Sequence, residues 1–155
     1  MIAADLYDWL LLLHIVAAMI WVGGAVMLGA TATRVIRAGD DEDVARFLGN
    51  LRVLGPLVLA PATVAVLGLG IWMVLDSSAW DFGQEWVQLA LGLFAGAFVI
   101  GAAHQSSAAI RADRALERGD HPEARRQLVG WSVGYWLILA FLLAAVWDMV
   151  MKPGL

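Results

Sequence analysis

The sequence predicts an all-α integral membrane protein, a bundle of four spanning helices, and three observations carry that prediction. Of 155 residues, 61% are hydrophobic and only 15% charged, with a mean hydropathy of +0.76, whereas soluble domains carry about a quarter charged residues. The apolar residues fall into four runs, about 6–33, 53–75, 86–110 and 129–151, each near or above the roughly 20 residues of helix that cross a bilayer. Alternation of period two is absent. Hydrocarbon offers no partner to backbone N–H and C=O groups, so runs of this length must be helices. The whole chain, 1–155, reads as one transmembrane domain.

Helix 1 begins after Asp5 and is too long for a secretory leader. No basic residue precedes it and no small-residue cleavage site follows, so it reads as a permanent span. Helix 2 carries Gly55, Pro56 and Pro61, and a kink is expected at Pro61, where proline removes a donor and crowds the preceding turn. Helix 3 starts at Trp86 and ends in the polar stretch "HQSS", residues 104–107. Helix 4 starts near Trp131, Tyr135 and Trp136 and ends near Asp148. Gly24, Ala25, Gly29, Gly92, Gly96 and Gly101 recur at spacings that let helices approach closely.

The charges predict orientation. Arg34, Arg37, Arg46 and Arg52 lie between helices 1 and 2, and Arg111, Arg114, Arg118, Arg125 and Arg126 between helices 3 and 4. Short loops rich in basic residues stay cytoplasmic, which places both termini on the outer side of a bacterial cytoplasmic (inner) membrane. Asp5, Asp8, Asp76, Asp81, Glu85 and Asp148 mark the outer rim. Trp9, Trp72, Trp80, Trp86 and Trp147 are expected to form an aromatic belt there, with Trp131, Tyr135 and Trp136 as its inner counterpart.

The two arginine loops echo one another. "RVIRAGDDEDVARFLGNLR" and "RALERGDHPEARRQLVGW" share a Gly-Asp step, acidic residues and an Ala-Arg pair. Two parallel two-helix repeats and chance likeness of amphipathic connectors both account for this. Each Gly-Asp step reads as a helix C-cap followed by a new N-terminus, giving a short cytoplasmic helix before helix 2 and another before helix 4. His121 falls in the second connector and reads as a solvated loop residue.

Several functions are excluded. Cysteine is absent, removing disulfides, thiolate metal sites and cysteine catalysis. The arginines are interleaved with Asp40, Asp41, Glu42, Asp43, Glu117, Asp120 and Glu123, which is no surface for nucleic acid. No paired carboxylate, Ser-His-Asp arrangement, phosphate loop or His-x-x-x-His is present, so no catalytic residue is assigned.

One titratable side chain, His14, lies deep in the apolar run "LLLLHIVAAMIWVGGAVMLGA", residues 10–30. An ionisable group inside a membrane faces the bundle interior or a cavity and marks a functional site by default. At helical spacing its face continues through Ala17, Ala18, Trp21, Gly24, Ala25 and Leu28: one ring nitrogen, room, a flat indole and bare backbone. A flat macrocycle fits such a surface.

The motif "HIVAAMIWVGG" resembles the first helix of a superfamily of small bacterial membrane proteins. It includes the copper resistance protein D domain, the four-helix haem-binding protoporphyrinogen oxidase, and an uncharacterised group called predicted integral membrane proteins. The last is similar in size, in its arginine-bearing first loop and in the "GLGIWMV" ending of helix 2. The resemblance implies haem b or metal binding at His14, as iron axial ligand, with Trp21, Ala17, Ala18 and Gly24 shaping the site, and a redox or haem-handling role. The oxidase pattern has a lysine near the start of helix 3, where this chain has Trp86, Val87, Gln88 and Leu89, so oxidase activity does not carry over. Copper transport is disfavoured as well, because Met1, Met19, Met27, Met73, Met149 and Met151 form no Met-x-x-Met ladder for a soft ion.

His104 is a weaker, separate metal candidate. It stands seven residues before Arg111, whereas His14 stands 20 before Arg34, so the two imidazoles lie roughly 20 Å apart along the membrane normal. One haem iron does not bridge them, and interhelical hydrogen bonding is the alternative role for His104. For His14 three arrangements stay open: a five-coordinate haem, a haem shared by two chains of a homo-oligomer, or no cofactor, with the ring bonded to neighbouring backbone or to Asp8 or Asp148. A non-catalytic accessory or scaffold subunit in a larger membrane complex is the competing function. Solute transport through four helices with so few buried polar groups fits poorly.

Overall fold

The computed structural model describes residues 5–154, so Met1 lies outside the described residues. Four long helices account for nearly all of them: α1 (Leu6–Ala38), α2 (Asp41–Asp76), α3 (Glu85–Glu117) and α4 (His121–Met151), each long and apolar enough to cross a membrane. No strand occurs among the described residues. The four-helix membrane bundle is thus the observed architecture.

The connectors differ from expectation in an instructive way. Their Gly-Asp steps do cap as anticipated: Gly39 closes α1 in the left-handed conformation, φ 74°, and Asp40 accepts from the Glu42 N–H at 2.9 Å. Gly119, φ 72°, and Asp120, accepting from the Glu123 N–H at 3.1 Å, repeat the arrangement. After the first connector an α-helical segment, Asp41–Leu54, does precede the span and joins it through a π-helical stretch, whereas after the second His121–Met151 is one α-helix with no separate helix before it. Within α2 the irregularity lies before Pro61, a π-helical stretch at Gly55–Leu59. Pro56 and Pro61 both lack the N–H that a regular ladder would use. A second π-helical stretch, Ile100–Gln105, interrupts α3.

Around the bundle the packing order is α2, α1, α4, α3; α2 and α3 meet chiefly at their connector ends. There Arg52 pairs with Asp113 and reaches Glu117 at 3.8 Å. The arginine loops also pin the helices to each other: Arg125 donates to the Ile36 carbonyl at 2.6 Å, and His121, solvated as expected but in the first turn of α4 and not in a loop, lies 3.5 Å from Asp41. Val44, Phe47, Leu48, Ala112 and Leu128 are buried in this extension. Apolar burial from water stabilises at about 25 cal/mol per Å², a gain unavailable between helices inside lipid. Elsewhere large apolar residues such as Leu57, Val64 and Val150 face outward, as lipid contact requires.

The glycines divide by what they meet. A Cβ on Gly96 would lie 2.8 Å from Phe141, and one on Gly24 2.8 Å from Leu59, so both serve close approach. Gly92 meets nothing within 4 Å. Trp131 and Tyr135 are buried, stacked on each other with centroids 4.4 Å apart, and do not belong to an interfacial belt; Trp9, Trp72, Trp136 and Trp147 are exposed. Asp148, expected at the rim, is fully buried, because the last turn of α4 directs it into the bundle.

Candidate functional site

His14 is 7% exposed. Its ring lies against α2, where a Cβ on Gly70 would come within 3.2 Å of Cε1 and press on the imidazole. The Val66 carbonyl of α2 stands within bonding reach of the ring, and Nδ1 is sealed from solvent without a hydrogen bond of good geometry. A neutral imidazole carries one donor and one acceptor nitrogen. Among the described residues Nδ1 has no partner of good geometry, and no pairing of the ring with Asp8 or Asp148 is present.

The ring borders a cavity of about 690 Å³ in the half of the bundle that carries the termini. Its wall from α1 follows helical spacing through Tyr7, Leu11, His14, Ala18 and Val22. Apolar side chains of α2, α3 and α4 complete it. The loop between α2 and α3 closes its mouth: Trp80 donates from Nε1 to the Tyr7 hydroxyl at 3.1 Å and packs edge-to-face on Trp86. Lys152 Nζ stands 4.0 Å from the Trp80 ring centroid, a cation on an aromatic face at the same mouth. Met19, Met73 and Met149 also line the cavity.

Of the residues singled out from sequence, His14 and Ala18 line this space. Ala17 and Trp21 are buried in the core instead, and Gly24 packs on Leu59. Trp21 meets Phe94 edge-to-face at 5.5 Å; Phe94 lines the cavity of His14, while Trp21 lines a second cavity at the connector end. His104 is far from His14, its Nε2 placed 3.2 Å from the Gly130 carbonyl of α4. No cluster of three or more His, Asp or Glu suited to a metal ion occurs among the described residues. Gly70, Trp80 and Lys152 were not legible as site residues. Asp148 carries a second unmet need, both carboxylate oxygens being buried without a partner.

Fold and site together define a four-helix integral membrane protein with a buried, unpaired histidine beside an apolar cavity. Residues 8–153 match the family model described as "Predicted integral membrane protein (DUF2269)", and the chain belongs to that family. No curated protein and no solved structure matched it.

Proposed function

We propose that this protein binds haem b in the cavity at its terminus end, with His14 as the axial ligand, in a redox or haem-handling role. The observation that carries the reading is the unpaired His14 imidazole at the wall of a roughly 690 Å³ apolar cavity. Small-molecule sites are concave and mostly apolar, with few fixed polar groups, and span about 300–1,000 Å³.

The residues present fit the group. His14 lines the cavity and its Nε2 would be the ligating nitrogen, Gly70 leaves the ring its space, and Lys152 supplies a cation at the mouth for an acidic substituent. Among the described residues no second histidine or carboxylate lines the cavity, so His14 would hold the iron, with the thioethers of Met19, Met73 and Met149 at the wall as further candidates. Bound haem supplies one-electron chemistry; the chain holds it, excludes water and sets access. In this reading the protein sits in a bacterial cytoplasmic membrane with both termini outside, by the arginine bias of its connectors, alone or as a homo-oligomer.

Protein purified in mild detergent from haem-replete cells is expected to show a Soret band that His14→Ala abolishes while the helical content stays unchanged. Colourless protein that takes up no added haemin overturns the proposal. Co-purification of that colourless protein with a stoichiometric membrane partner would support the accessory-subunit reading instead.

A further inference from the structure

A second cavity, of about 480 Å³, lies at the connector end, and both π-helical stretches border it: Gly55, Pro56 and Leu59 from α2, Gly101 and Gln105 from α3. Single π turns inside α-helices concentrate at functional sites. From α4 the stacked rings of Trp131 and Tyr135 add flat aromatic wall.

One polar side chain inside it is half satisfied. Gln105 is 6% exposed, and its Nε2 donates to the Trp131 carbonyl at 2.9 Å. That bond fixes the amide, since a carbonyl accepts only from the NH₂ side. Oε1 is therefore a buried acceptor, and it has no partner. A group that reaches it from the cavity must donate a hydrogen bond there. An acyl chain has no donor, and a phosphodiester offers only acceptors.

We propose that this cavity is a binding site for a membrane-soluble ring compound bearing a hydroxyl group, of the hydroquinone class. The hydroxyl donates to Gln105 Oε1, the ring lies against the aromatic wall, and the apolar remainder leaves through the cleft between α2 and α3, which touch chiefly at the Arg52 and Asp113 pair. None of these groups belongs to the His14 site, so the two assignments stand or fall separately.

The probes are a decyl-substituted 1,4-benzohydroquinone, kept reduced anaerobically with ascorbate, and its quinone, titrated calorimetrically into protein-containing lipid nanodiscs with empty discs subtracted. The quinone carries only acceptors and leaves Oε1 unpaired. Saturable hydroquinone binding at least about tenfold tighter than quinone binding is expected. Gln105→Leu brings hydroquinone affinity down to that of the quinone, Ala109→Trp fills the cavity and removes both, and His14→Ala changes neither. Equal affinity for the two forms, absence of saturable binding, or a Gln105→Leu protein that keeps the preference overturns the proposal. Should Gln105→Leu fail to fold, the comparison of the two probes on the unaltered chain decides.

Discussion

The two ends of the bundle hold cavities of similar scale and opposite need. At the terminus end the unmet group is His14, an imidazole that can give a lone pair to a metal. At the connector end it is the Gln105 carbonyl oxygen, which can only accept a proton donor. Apolar side chains make up most of both walls, but Arg52, Asp113 and Ser106 also border the connector-end cavity, where the other has Lys152. The surroundings differ too. Around Gln105 the helices are tied by His104 to Gly130, by Arg125 to Ile36 and by Arg52 to Asp113, whereas the other cavity is roofed by a loop and by Lys152.

The sharpest way to break this comparison is to read both sites in one variant. His14→Ala is expected to lose the whole haem absorbance and keep full hydroquinone binding; loss of both would mean that the cavities act as one. Gly134→Ala addresses the connector end. A Cβ there would fall 2.7 Å from the His104 ring and 3.4 Å from the Gln105 amide, and overpacking of this kind costs about 1–3 kcal/mol. Unfolding in a denaturing-detergent titration should shift by that amount, with the Soret band untouched.

A third variant asks whether the other orphan at the terminus end belongs to the site. Asp148 is fully buried but does not border the cavity. Removing an unpaired buried polar group relieves about 1–3 kcal/mol, so Asp148→Leu should raise the melting temperature and leave the spectrum alone; a changed spectrum would tie Asp148 to His14. The smallest effect is expected at Gly92, where nothing lies within 4 Å. Gly92→Ala should stabilise the helix by about 0.5–1 kcal/mol, whereas Gly96→Ala, against Phe141, should destabilise the protein. Equal melting temperatures for the two would remove the distinction between lipid-facing and packed glycines.

Helix number, the caps at the Gly-Asp steps and the depth separation of His14 from His104 were legible in the sequence, since each follows from local composition or from rise per residue. The site was legible at one residue. Periodicity placed Ala17 and Trp21 with His14, but a helix has two flanks. It is the packing of α2 and α4 on α1 that turns Trp21 to the core and leaves Leu11 and Val22 to the cavity. Gly70 and Lys152 lie 56 and 138 positions from His14, and no pattern in one helix reports such a meeting. Gln105 stands beside a titratable residue in "HQSS", and the histidine is the more conspicuous of the two. A glutamine inside an apolar span was itself the signal. Trp131 and Tyr135 misled because aromatic residues near a span's end fit a belt as well as a core, and only the α2 extension that covers Trp131 through Phe47 decides between them.

The Trp21 and Phe94 rings stand where one void ends and the other begins. They act as a septum across an hourglass. Shortening either ring would join the two voids into one, so this single edge-to-face contact is what keeps them separate.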